Sequence, residues 1–266
     1  MTETNGICIV TGATGGIGKA LVTQLAEEGY SLVIQGRNEQ RLNAIESALA
    51  GDNSRFRCVV GDINQASVRD DLFAAALDLD GELLALINAA GTSDFGSILD
   101  LEAKQLESML HTNTVAPILL CRDFVRWVLP RQDRVAVILN IGSTFGTIGY
   151  PGFAAYGATK FALRGFTQSL RRELADSHVR VQYIAPRATR TGMNSDAVDR
   201  LNETLGNAVD DPKWVAAQII RVLHGSRTGD VYLGWPEKFF AWLNRCVPAA
   251  VDSALASKLE TVKRFF

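Results

Sequence analysis

A chain of 266 residues with 47% hydrophobic and 21% charged residues is long enough to bury one sizeable core and need not be divided into two domains. Its formal net charge of −2 leaves no basic footprint for nucleic acid, and the short arginine cluster Arg122, Arg126, Arg131 and Arg134 reads as a solvated helix edge and loop. Three histidines and four scattered cysteines, Cys8, Cys58, Cys121 and Cys246, give neither metal-ligand spacing nor a close pair, so no metal is expected and the thiols read as reduced core residues of a cytoplasmic protein.

The polar start Met1-Thr2-Glu3-Thr4-Asn5-Gly6 does not read as a signal peptide, and no apolar run reaches the roughly 18 residues of a spanning helix. Residues 7–11 form an apolar, β-branched run that breaks into Gly12-Ala13-Thr14-Gly15-Gly16-Ile17-Gly18, and residues 19–28 follow with helical periodicity. Strand, glycine turn and helix in that order let the backbone approach a pyrophosphate at the positive end of the helix, which predicts a dinucleotide site. A P-loop ending in Gly18-Lys19 would need glycine and a Ser or Thr where Ala13 and Ala20 stand, so phosphoryl transfer is disfavoured.

Further strands are expected at residues 31–35, 56–60, 83–88, 134–141, 179–184 and 230–233, with helical stretches between them and punctuation such as Gly51-Asp52-Asn53-Ser54. This alternation predicts a single-domain, doubly wound α/β Rossmann fold over residues 1–266, a parallel sheet of about seven strands with helices on both faces. Ligands in such a fold bind beyond the carboxyl ends of the strands, where Gly12, Asn88, Ser143 and Pro186 would cluster. An acidic residue ending the second strand would select NAD, but Gly36 stands there with Arg37 beside it. The missing carboxylate and the adjacent guanidinium favour NADPH.

Tyr156 and Lys160 stand four apart, which puts phenol and ammonium on one helix face. A fixed cation is expected to lower the phenol below its ordinary value of about 10, and Ser143 upstream supplies a hydroxyl for a carbonyl oxygen. Together they read as apparatus for protonating an oxyanion, with hydride transfer as the partner reaction.

In these motifs the chain resembles the short-chain dehydrogenase/reductase family. Residues 11–18 match its TGxxxGxG cofactor turn, Asn88-Ala89-Ala90-Gly91 its NNAG-type strand end, and Asn113, Ser143, Tyr156 and Lys160 its catalytic tetrad. Pro186-Arg187-Ala188-Thr189-Arg190-Thr191 corresponds to its PGxxxT stretch beside the nicotinamide, with Arg187 in place of glycine. The resemblance implies that Thr14, Ile17, Ile63, Ala89, Ala90, Thr189 and Thr191 join the cofactor site and that Lys160 holds the nicotinamide ribose. It also implies that Asn113, in a helical stretch over residues 109–120, binds a water linking Lys160 to solvent, and that Asp62 contacts adenine. Asp62 equally suits a cap for a helix beginning near Asn64.

The expected activity is NADPH-dependent reduction of a ketone, or the reverse, on a small molecule that is apolar or acyl-like. Thr92, Ser93, Phe95, Phe145, Phe153 and a helical lid within about 187–210 are candidate pocket residues. Arg187 and Arg190 either hold a substrate anion or pair with nearby carboxylates or cofactor phosphates. The aromatic segment 234–243 opens a helical extension over about 235–266. Packing on another subunit or across the pocket is its favoured role, with a membrane interface as the alternative. A homodimer or homotetramer is what the resemblance implies. Two other classes stay open: a non-catalytic NADP-binding sensor or scaffold, and a lyase or epimerase on the same fold.

Overall fold

Strands β1 (Ile7–Thr11), β2 (Ser31–Gly36), β3 (Phe56–Val60), β4 (Leu83–Asn88), β5 (Ala136–Ile141), β6 (Val179–Ala185) and β7 (Gly229–Tyr232) form one parallel sheet in the order β3-β2-β1-β4-β5-β6-β7. The computed structural model describes residues 6–49, 53–131 and 134–266; the polar start through Asn5 and the Gly51-Asp52 part of the expected connection lie outside them. Every expected strand is present. Strand β5 opens two residues later than expected, because pairing begins where the Ala136 N–H donates to His178 O, while Val135 before it is 53% exposed.

The helices are α1 (Gly16–Glu27), α2 (Glu39–Ala48), α3 (Ala66–Leu77), α4 (Ala103–Leu110), α5 (Ala116–Val128), α6 (Ala154–Glu173), α7 (Asp196–Leu205), α8 (Pro212–His224), α9 (Trp235–Cys246), α10 (Pro248–Ala256) and α11 (Leu259–Lys263). Side chains alternate along each strand, so Cys8 and Val10 pack with Leu21, Leu42 and Ile219 of α1, α2 and α8. Ile7 and Ile9 pack on the other face with Leu72 and Phe124 of α3 and α5. Burial on both faces accounts for strands that read as continuous apolar runs. Cys8 and Cys121 are buried as expected, Cys58 is half-buried, and Cys246 is exposed on α9 and is no core residue.

Local signals fix the ends of these elements. The Asn38 side chain caps α2 by accepting from the Arg41 N–H, and Ser195 does the same for α7 through Val198. Helix α7 stops at Gly206, whose φ of +62° suits the left-handed cap that glycine adopts without strain. Between α4 and α5 the chain widens into one π turn, His111–Val115, with Asn113 at its centre, so the expected plain helix there is interrupted. The strand order reverses between β1 and β4, which opens the crevice beyond their carboxyl ends.

Candidate active site

Gly12 ends β1 with φ +67°, and a Cβ there would lie 2.6 Å from Ala90 Cα. A Cβ at Gly16 would lie 2.7 Å from Thr191 Cγ2, and one at Gly18 would overlap the Gly12 carbonyl. Only bare backbone fits this turn, and it leaves an open cradle at the N-terminus of α1. Buried Gln35 braces it from β2, accepting from the Gly12 N–H at 3.1 Å and donating to Gly61 O at 2.7 Å. Thr11 Oγ1 accepts from the N–H groups of Ala89 and Ala90, both at 3.2 Å, which ties the end of β4 to the same turn.

One cavity of about 1000 Å³ runs from this cradle along the strand ends. Gly12, Thr14, Gly15, Gly16, Ile17, Gly18, Arg37, Asp62, Ile63, Ala89, Ala90, Gly91, Pro186, Thr189 and Thr191 all line it, as do Ser143, Tyr156 and Lys160. Arg41, one turn into α2 and not singled out from the sequence, lines it beside Arg37. Gly36 has a steric reason as well, since a Cβ would approach Thr14 Cγ2 to 2.8 Å. Asp62 Oδ1 accepts from the Asn64 N–H at 3.0 Å, so it shapes its own turn while facing the cavity.

Asn88 and Asn113 are not in the cavity wall. Asn88 is buried and donates to Asn140 Oδ1 at 2.8 Å, holding β4 to β5. Asn113 is fully buried; its amide donates to Thr92 O and Thr159 Oγ1, and its Oδ1 accepts from the Thr92 N–H at 2.8 Å. Both of its amide hydrogens are committed to protein, which makes the side chain a clamp between the Thr92 loop and α6.

Ser143 follows β5 and caps a short 3₁₀ turn, its Oγ accepting from the Phe145 N–H at 3.1 Å. Tyr183 of β6, fully buried and unremarked in the sequence, grips the Ser143 backbone twice. Its hydroxyl accepts from the Ser143 N–H at 3.0 Å and donates to Ser143 O at 2.9 Å. A Cβ at Gly142 would overlap the Tyr183 ring and one at Gly146 its hydroxyl, so those glycines are what admit it.

Lys160 is 4% exposed; its Nζ donates to Ile141 O at 3.1 Å and lies 5.7 Å from the centre of the Tyr156 ring. Burial lowers its pKa to about 8. Tyr156 is half-buried, with one side open to the cavity, and burial pushes its phenol up to about 12 while Ser143 pulls the other way. This corrects the expectation of a phenol lowered by its lysine neighbour: removal from water dominates, and the opposing pull comes from Ser143. The outcome is a tyrosine that keeps its proton at neutral pH.

Beyond Tyr156 the cavity turns aromatic. Phe145 and Phe153 stand 4.9 Å apart and both present edges to the Tyr156 ring, at 6.4 and 6.1 Å. Thr92, Ser93 and Met193 line this end, whereas Phe95 sits behind Phe153 as a buttress. Helices α9 and α10 complete the wall through residues such as Phe240, Leu243, Val251 and Leu255. Arg187 makes a two-pronged ion pair with Asp210 at 2.8 and 2.9 Å and reaches Glu237 at 3.4 Å, so it is committed to carboxylates of the chain itself. Arg190 is exposed and outside the cavity wall.

The family model described as short chain dehydrogenase matches residues 6–202, which contain every residue of the glycine turn and the Ser143, Tyr156 and Lys160 cluster. An uncharacterized oxidoreductase of Staphylococcus epidermidis is 35% identical over 187 residues, covering 70% of this chain and 79% of its own length. The 3-oxoacyl-[acyl-carrier-protein] reductase of Rattus norvegicus is 35% identical over 190 residues, with coverage of 70% and 77%. Among solved structures, a closed serine dehydrogenase complexed with NADP+ superposes with a TM-score of 0.74 at 26% identity, covering 85% of this chain and 94% of the other. A 3-ketoacyl-(acyl-carrier-protein) reductase from Brucella melitensis complexed with NADH shares the fold with a TM-score of 0.77 at 21% identity, covering 86% and 97%.

Proposed function

Because the chain belongs to the short-chain dehydrogenase family, we propose that it is an NADPH-dependent reductase of an apolar or acyl-like ketone, acting through Ser143, Tyr156 and Lys160. The observation that carries this reading is the convergence of those three side chains and the glycine cradle on one cavity with an aromatic far end. When bound, the dinucleotide supplies a hydride to the carbonyl carbon; the rest is the work of the chain.

The cradle at Gly12–Gly18 takes the pyrophosphate, and Arg37 with Arg41 offers two cations for a 2′-phosphate. Lys160 holds the nicotinamide ribose, as the family resemblance implies. Ser143 donates a hydrogen bond to the substrate oxygen, and as the carbonyl π pair collapses onto that oxygen Tyr156 delivers its proton there. A phenol at about 12 is loaded for this direction at neutral pH, whereas alcohol oxidation would first have to strip it. Asn113 acts by fixing the Thr92 loop against α6. The segment of about 187–210 serves as a substrate lid, and the functional unit is a homodimer or homotetramer in the cytoplasm.

NADPH consumption across acyl thioesters, steroids and small diketones tests the reading. Stoichiometric oxidation of NADPH separates it from a lyase or epimerase, which would leave the absorbance unchanged. Tyr156→Phe is expected to abolish reduction while NADPH still binds. Full turnover by that variant would refute the mechanism, and tight NADPH binding with no ketone reduced would point to a sensor.

A further inference from the structure

We propose that the outer face of α9 docks on the surface of an anionic phospholipid bilayer and presents the cavity mouth to lipid-borne ketones. The substrate part of this proposal rests on the reductase reading above; the docking part does not.

Helix α9 has three distinct sides. Inward, Ala241 is buried, Asn244 donates to Thr147 O at 2.9 Å, and Glu237 reaches Arg187, which together fix the rotation of the helix. Next to that side, Phe240 and Leu243 line the catalytic cavity. Outward, Trp235, Phe239 and Trp242 recur at the spacing of one helical stripe and are 75%, 46% and 57% exposed. None of the three belongs to the cavity wall. The two aromatic sets are continuous, since Phe239 lies 5.8 Å from Phe240 and 5.9 Å from Trp242.

Charge and area choose the occupant. Lys238 and Arg245, seven residues apart, flank the same edge of the stripe and are both exposed. Arg245 stands 3.6 Å from Asp230, a carboxylate already held by Arg164 and Arg171, so the edge keeps a net positive charge that complements phosphate headgroups. Tryptophan and phenylalanine prefer the depth just below those headgroups. A second protein fits less well: three aromatic side chains of ~150–250 Å² each, about half exposed, present on the order of 400 Å². That is about half of the ~800 Å² each partner contributes to a standard protein interface. Among the described residues no helix is long and apolar enough to cross a membrane, so the contact is peripheral.

Vesicles of phosphatidylcholine with phosphatidylglycerol, floated through a density gradient with the full-length protein, test this. The wild-type chain should float with anionic vesicles, less so as salt rises or after Lys238→Glu. A Trp235→Ser, Phe239→Ser, Trp242→Ser triple variant should stay at the bottom. Its melting temperature and its turnover of a water-soluble ketone should remain near wild type, because none of the three touches the cavity. Absence of flotation by the wild type, or flotation undiminished in the triple variant, overturns the proposal. Loss of an oligomer in the triple variant, seen by light scattering without lipid binding, would assign the stripe to a second copy and overturn it too. Flotation by a chain that reduces no ketone would refute the reductase reading and leave the docking face standing.

Discussion

Replacing Tyr183 with Phe deletes one oxygen and tests whether the backbone of Ser143 is held by the β6 strand. In the wild type that oxygen accepts from Ser143 N–H at 3.0 Å and donates to Ser143 O at 2.9 Å. Removing it leaves the Ser143 N–H without its partner, at a cost of about 1–3 kcal/mol, and forfeits a second bond worth about 0.5–1.5 kcal/mol net. The ring stays packed against Gly142, so no large cavity opens and the expected loss is about 2–4 kcal/mol. At about 2–4 °C per kcal/mol for a chain of this size class, the midpoint should fall by roughly 4–16 °C. Ser143 is also freed to shift, and a displacement of about 1 Å near the reacting atoms can cost on the order of 100-fold in rate. Thermal melts and steady-state kinetics with NADPH read both effects, with NADPH affinity expected to hold. A variant that melts at the wild-type temperature and turns over at the wild-type kcat would refute the idea that Tyr183 positions Ser143.

Cofactor preference and pH dependence give two further tests. Arg37→Asp removes a cation and adds a carboxylate where the 2′-phosphate would sit, so the NADPH/NADH ratio of kcat/KM should drop by about 10- to 100-fold, the scale of a lost charge-assisted bond; an unchanged ratio would remove Arg37 from the assignment. Lys160, lowered to about 8 by burial, is charged below that pH and neutral above it. Reductive kcat/KM should therefore be level through neutral pH and decline as pH rises through about 8, while Tyr156 near 12 stays protonated throughout. A profile that is flat to pH 10 would show that the lysine charge is not used.

Most of the fold was legible because the inner strands are buried on both faces and so read as apolar runs between turn residues, while the edge strands β3 and β7 are only partly buried. The glycine turn was equally plain, since Gly12, Gly16 and Gly18 each stand where a Cβ would collide. What the sequence hid were contacts between distant elements. Tyr183 looked like one more strand residue, and only the pairing of Asn140 with Tyr183 brings β6 alongside the Ser143 turn. The amide of Asn113 could not be seen to be committed to Thr92 and Thr159 until the π turn aimed it. The sign of the Tyr156 shift is hidden for a related reason: helical spacing reveals a neighbouring charge but not how much water the fold removes from both groups. For Arg187 the sequence leaves open an anion or a carboxylate of the chain, because the partner that decides it, Asp210, stands 23 residues away and is met only in three dimensions.

That same Asp210 has a consequence for how this protein can diversify. Its backbone N–H donates to Ala188 O at 2.8 Å and its carbonyl accepts from the Arg190 N–H at 3.0 Å, so the chain leaves the sheet and returns at one point, stapled by the Arg187 guanidinium. Of the residues between, Thr191 packs against Gly16 of the glycine turn, and those beyond it form an excursion whose two ends are held in place. Doubling such an excursion costs only about 0.6 kcal/mol in closure entropy, so insertions or grafts there can redraw the shape of the binding chamber while the catalytic groups on the strand ends keep their registration.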